Sequence, residues 1–200
     1  MDGGSNPPSS TNSYMKYINQ PLSFNNDKIF FEESEVESQV MMNWEDLLMS
    51  ASAAYVCEGG GDILEMGFGM GISAGYIQSH SIDSHTIVEN HPDIIPKAQL
   101  WASDKPNVKI IKGDWYKNID KFKTYDGVFF DTYGDKDMNQ FSSSLSLFMK
   151  SNGRASWWNS VTGSNNFYNI PDVTYEIINV DPPKNNYFNH DKYYLPKKKF

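Results

Sequence analysis

Four acids stand at or just past the ends of short apolar runs. Glu65 follows Ile63-Leu64, Glu89 follows Ile87-Val88, Asp114 comes after Val108 to Ile111 by way of Gly113, and Asp131 follows Val128-Phe129-Phe130. Behind Glu65 comes a turn with alternating glycines at Gly67, Gly69 and Gly71. Such backbone reverses sharply and lets a ligand press against bare main chain. The dinucleotide fingerprint needs its third glycine three residues after the second, where this chain has Ile72, so no pyrophosphate cradle is expected. In open α/β sheets ligands sit beyond the carboxyl ends of the strands, where these acids collect. Glu89 is placed to accept both hydroxyls of a ribose, and Asp114 to take an adenine amino group with Trp115 against the ring. Any one of them alone serves equally as a helix cap or a solvated loop residue. Glu65, Glu89 and Asp114 in order after successive strands point to an adenosine-bearing ligand.

The elements that must position these side chains alternate. Ile63 and Leu64 suit a buried strand, and a helix is expected from near Met70; His85 to Glu89 reads as a second strand and residues 92 to 103 as a helix opened by Pro92. Val108 to Ile111 and Asp126 to Phe130 are the third and fourth strands, followed by a helix around Met138 to Met149 and a strand at Arg154 to Trp158. Parallel crossovers of this kind imply an α/β, doubly wound, mostly parallel sheet, Rossmann-like and seven-stranded once the tail is added. The tail, Val173 to Val180 and Lys192 to Leu195 around the turn-forming Asp181 to Asn186, predicts a closing antiparallel hairpin. Upstream, Val36, Val40, Met41, Trp44, Leu47, Leu48, Ala51 and Ala54 repeat at three and four, predicting a helix from Glu32 to Tyr55, broken at most once. Residues 1–28 are expected to form a flexible N-terminal segment whose Tyr14, Met15, Tyr17 and Ile18 either fold over a pocket as a lid or hang as a tail; residues 29–200 form one domain.

Two hundred residues suffice for a three-layer core, and a net charge of −8 argues against a nucleic-acid substrate and for a small or basic one. Cys57 is the single cysteine, a buried spectator thiol by its apolar surroundings, which points to a reducing, cytoplasmic compartment. His80, His85, His91 and His190 lack metal-ligand spacing and read as surface histidines, so no metal is expected. No membrane contact is expected, and the protein is taken as a monomer or homodimer.

The pattern Glu65-x-Gly67-x-Gly69-x-Gly71 resembles motif I of the class I S-adenosylmethionine-dependent methyltransferases, in which Glu65 would orient the turn or the ligand ammonium. Amino-base methyltransferases carry Asn or Asp, Pro, Pro and an aromatic after the fourth strand; Asp131-Thr132-Tyr133-Gly134 departs from that pattern. Val40-Met41-Met42-Asn43-Trp44-Glu45, Gly67-Phe68-Gly69-Met70, Gly113-Asp114-Trp115 and Phe130-Asp131-Thr132-Tyr133 together resemble guanidinoacetate N-methyltransferase and the related arginine δ-N-methyltransferases, in order from about residue 36 onward. The resemblance implies cofactor contacts at Met41, Met49, Gly67, Phe68, Gly69, Met70, Gly71, Ile72, Glu89, Asn90, Asp114 and Trp115. It implies guanidino contacts at Glu45 and Asp131, with Ser160 and Val161 near the acceptor's carboxylate end. The chain is short between Asn159 and Val173, where the family places a helical crossover. The extra N-terminal repeat domain of the arginine enzymes has no counterpart here, which favours a small acceptor.

That likeness implies a reaction, the transfer of a methyl group from S-adenosylmethionine to guanidinoacetate, giving creatine and S-adenosylhomocysteine. A guanidinium keeps its proton to a pKa above about 12, yet its nitrogen must present a lone pair to a methyl on a second cation. Two carboxylates answer both needs by pairing with the planar fork and offsetting two adjacent positive charges. Asp131 is assigned as proton acceptor while the carbon–nitrogen bond forms, and Glu45 as the clamp. Arginine methylation and a non-catalytic cofactor-binding module are the alternatives.

Overall fold

The computed structural model describes residues 17–31, 39–133, 138–160, 170–185 and 187–200. A small antiparallel sheet comes first, made of β1 (Leu22–Phe24), β2 (Lys28–Phe31) and β3 (Gln39–Met42). A 3-10 turn, Asn43–Glu45, leads into α1 (Asp46–Val56). The expected helix from Glu32 to Tyr55 is therefore corrected for the described residues: Gln39–Met42 is a strand and the α-helix starts only at Asp46, while residues 32–38 lie outside the described residues. Met41 and Met42 pair with Ile29 and Lys28 instead, and β-pairing satisfies their backbone where the apolar repeat alone suggested helix.

The main sheet has strand order β6-β5-β4-β7-β8-β10-β9. Its members are β4 (Asp62–Met66), β5 (Ser84–Glu89), β6 (Val108–Lys112), β7 (Tyr125–Phe130), β8 (Met149–Trp157), β9 (Val173–Asn179) and β10 (Lys192–Lys199). The first five pair in parallel, and β10 runs antiparallel to both β8 and β9. The seven-stranded, mostly parallel sheet and its closing hairpin are as expected. Ile63 and Leu64 in β4 are fully buried because helices cover both faces of a central parallel strand. α2 (Ile72–Gln78), α3 (Ile95–Ala102) and α4 (Met138–Ser144) are further helices around the sheet.

Gly127 lets α1 lie directly on the sheet, since a Cβ there would sit 2.2 Å from the Val56 carbonyl oxygen. On the opposite face Phe141 of α4 stacks on Phe130 at 4.3 Å between centroids. The helix expected at 138–149 stops at Ser144 and gives way to a 3-10 turn, Leu145–Leu147. β8 begins at Met149, earlier than expected, because its extra residues bulge: Tyr125 faces Met149 while Gly127 already faces Arg154, and Asn152 takes a φ of 66°. No described helix is long and apolar enough to cross a membrane.

Candidate active site

A cavity of about 350 Å³ opens at the carboxyl ends of β4, β5 and β7, within the range of roughly 300–1,000 Å³ usual for small-molecule sites. Its floor is the glycine turn. Gly67 holds a φ of +91°, its N–H donates to the Val88 carbonyl at 2.8 Å, and a Cβ added there would fall 1.9 Å from the Asp131 carbonyl oxygen. Glycine is thus required twice, by conformation and by contact.

Glu89 closes β5 and lines the cavity. Its Oε2 accepts the Phe68 N–H at 2.8 Å and its Oε1 accepts those of Asn90 and His91 at 2.7 Å each, so the acid splints the glycine turn to the next loop. Burial pushes its pKa up in spite of these donors. Trp115 forms the wall after β6, 3% exposed, with no hydrogen-bond partner for its buried Nε1 among the described residues. Asn90 and Met41 line the cavity as well.

Other expected contacts sit behind this wall. Glu65 is fully buried and faces α2, accepting a hydrogen bond from Ser73, with His85 Nε2 2.9 Å from its second oxygen. Asp114 accepts the N–H groups of Tyr116 and Lys117, capping the turn that follows β6. Met49 points from α1 into the core, Met70 donates its N–H to the Met41 sulfur, and Gly71 and Ile72 start α2. None of these six lines the cavity. Ser160 does, and Val161 lies outside the described residues.

The expectation of surface histidines is corrected for His85 and His91, both fully buried. His91 fastens the N-terminal segment, with Nε2 3.0 Å from the Tyr17 carbonyl and 3.2 Å from that of Gln20, and Nδ1 accepting the Asp93 N–H. With His85 Nε2 2.9 Å from Glu65 Oε2, His85→Leu should leave a buried carboxylate oxygen uncompensated and destabilise the fold by about 3 kcal/mol. Urea unfolding measures it; a loss below about 1 kcal/mol would contradict the pairing. Cys57 is buried as expected, and burial raises its thiol to about 12.

The second half of the cavity carries the two acids predicted to act together. Glu45, 3% exposed at the end of the 3-10 turn, and Asp131, just past β7, both line it. Burial and the nearby Asp131 charge raise Glu45 to about 8, against the Met42 N–H at 2.8 Å and the Tyr187 hydroxyl at 2.6 Å. Burial first, then the charges of Glu65 and Glu89, raise Asp131 to about 7. Such groups hold protons near neutrality and release them when a cation enters.

Sequence reasoning missed Trp158 and Tyr187, which also line the cavity; Tyr17, one of the residues expected either to fold over a pocket or to hang as a tail, lines it too, its ring stacked on Tyr133 at 4.5 Å. Trp158 and Tyr187 come from β8's exit and the β9–β10 connection, and nothing local in the sequence points them at the glycine turn.

This strand order, with a glycine turn after the first parallel strand and an acid after the second, is that of the class I S-adenosylmethionine-dependent methyltransferases. The family model for guanidinoacetate N-methyltransferase matches residues 30–163, and the chain belongs to that family. It is 27% identical over 217 residues to "Protein arginine N-methyltransferase 2" of Kluyveromyces lactis, covering 92% of this chain and 53% of that protein. The Aspergillus oryzae protein of the same name is 30% identical over 164 residues, covering 77% of this chain and 38% of its own length. The chain thus spans about half, or less, of the curated relatives it matches. Among solved structures, N-methyltransferase NodS of Bradyrhizobium japonicum, in complex with S-adenosylhomocysteine, superposes with a TM-score of 0.62 at 12% identity, covering 96% of this chain and 98% of that one, a likeness of fold. The chain therefore carries a class I S-adenosylmethionine-dependent methyltransferase domain. The cavity suits that cofactor: bare glycine backbone, a carboxylate at the end of β5 and the Trp115 indole line it.

Proposed function

We propose that this domain methylates a small guanidino compound, guanidinoacetate first, using Glu45 and Asp131 as a paired anionic clamp. That both acids line one cavity, with Asp131 close enough to raise Glu45 and each with a raised pKa, carries this reading. S-adenosylmethionine, held by Gly67 to Gly69, Glu89, Asn90 and Trp115 with Met41 beside them, supplies an electrophilic methyl group. Ionised Glu45 and Asp131 bind the planar cation through charge-assisted hydrogen bonds and orient one nitrogen. Asp131 takes the proton that nitrogen sheds as it gains the methyl carbon. Trp158 and Tyr187 exclude water on the far side, and Ser160 stands near the acceptor's other end. Tyr17, its ring stacked on Tyr133, covers the cavity as a lid.

Arginine, free or in a protein, is the second reading, favoured by the name of the curated relatives. Methyl transfer measured with guanidinoacetate, free arginine, an arginyl peptide and glycine separates the two; turnover of glycine alone would contradict both.

Glu45→Gln is expected to weaken acceptor binding about 100-fold while raising stability in alkali. The folded protein keeps a proton on Glu45 that the unfolded chain loses in the ordinary carboxylate range. Stability therefore falls as pH rises through that window to about 8, and Gln removes the fall. At pH 9 the gain should be at least about 2 kcal/mol, a melting temperature higher by about 5 °C, vanishing near pH 4. A variant with wild-type melting at pH 9 would remove the assignment of a buried, protonated Glu45.

A further inference from the structure

The connection between β9 and β10 reaches back across the sheet to the clamp. Its Tyr187 donates its hydroxyl proton to Glu45 Oε1 at 2.6 Å and accepts the Trp44 Nε1–H at 3.1 Å. Its backbone is pinned, since Asn185 Oδ1 accepts the N–H groups of Tyr187 at 2.9 Å and Phe188 at 2.7 Å. The Trp44 ring stacks on Tyr187 at 6.1 Å and on Phe188 at 5.6 Å. The Met42 N–H also falls on Glu45 Oε1. Both donors thus occupy one oxygen of the carboxylate.

We infer that Tyr187 is a positioning residue for methyl transfer: by holding Oε1 of Glu45 it fixes the carboxylate plane and leaves Oε2 to face the acceptor. This rests on Glu45 as the acceptor clamp. The groups facing Glu45 are Asp131 from the end of β7, Tyr187 from the β9–β10 connection and the Met42 N–H of its own turn. Of these, the two hydrogen bonds favour the ionised form and Asp131 opposes it. Burial and the Glu45 charge push the Tyr187 phenol far above its ordinary pKa, so it remains a donor throughout the working range. The hairpin that ends the chain thereby acts on a residue at the start of α1, far away in sequence.

The test is Tyr187→Phe in the full chain, assayed beside Glu45→Gln for kcat, acceptor KM and S-adenosylhomocysteine affinity between pH 6 and 9.5. Tyr187→Phe should raise acceptor KM about tenfold at pH 7, since a hydrogen bond to a charged group is lost. The pH at which acceptor affinity climbs should move upward, and cofactor-product affinity should stay within about twofold. A purely structural tyrosine would leave that pH profile in place. An unmoved profile with wild-type KM, while Glu45→Gln has lost acceptor binding, overturns the role of Tyr187 alone. Wild-type acceptor affinity in Glu45→Gln overturns the clamp and this inference together. Should Tyr187→Phe fail to fold, Trp44→Phe keeps the ring and removes the donor to Tyr187; a shift in the same direction, about threefold in KM, is expected, and none would overturn the proposal.

Discussion

Asp131→Asn is expected to lower kcat by about a thousandfold or more while leaving S-adenosylhomocysteine affinity within about threefold. Asparagine matches the protonated aspartate in shape and hydrogen bonding, and protonated aspartate is abundant in the free protein at neutral pH because burial and the acids behind it raise the group to about 7. The fold should therefore accept the change, and stability above pH 7 should rise. Two things are lost together: half of the anionic charge that draws in a planar cation, and the base that receives its proton. Single-turnover measurements with saturating cofactor separate these, because a higher acceptor concentration restores occupancy and not proton transfer. Turnover within about tenfold of wild type would remove Asp131 from the chemistry.

Gly67→Ala should have the largest effect on the cofactor. A methyl group there meets the Asp131 carbonyl oxygen at 1.9 Å, and the backbone φ of +91° is one that alanine avoids. Neither neighbour can yield. β7 is hydrogen-bonded between β4 and β8, and the Asp131 N–H is bound to the Met66 carbonyl at 2.9 Å. Relief requires parting the strand ends that shape the cavity floor, displacing Asp131 with them. A loss of about 3–5 kcal/mol in stability and of at least about a hundredfold in S-adenosylhomocysteine affinity is expected, read by urea unfolding and titration calorimetry. Near-normal affinity would mean that the turn is not the cofactor floor.

The parts of the site legible in the sequence are those whose local chemistry is self-contained. Gly67, Gly69, Glu89 and Asp131 fall at or just past the ends of apolar runs, and a mostly parallel sheet follows from the alternation of strands and helices. What was not legible depends on pairing across the chain. The repeat from Val36 to Ala54 looks helical throughout, yet Gln39–Met42 is drawn into a strand by β2. Glu65 and Asp114, equal to Glu89 as sequence signals, turn away from the cavity toward Ser73 and the Tyr116 turn, because nearer donors compete for them. Buried His85 and His91 carry no local signal, since each is defined by a partner on another element. Tyr187 is the extreme case: a residue in a turn-rich tail reaches the acid at the head of α1 through the fold alone.

The most direct test of the paired clamp is calorimetric titration of guanidinoacetate and of arginine onto the protein saturated with S-adenosylhomocysteine, at pH 7 in buffers of differing ionisation enthalpy. Glu45, raised to about 8, and Asp131, raised to about 7, must both ionise to receive a guanidinium. Binding should release between one and two protons per acceptor, and Glu45→Gln should reduce that number. Acceptor binding with no buffer-dependent heat, or no binding by any guanidino compound, would contradict it.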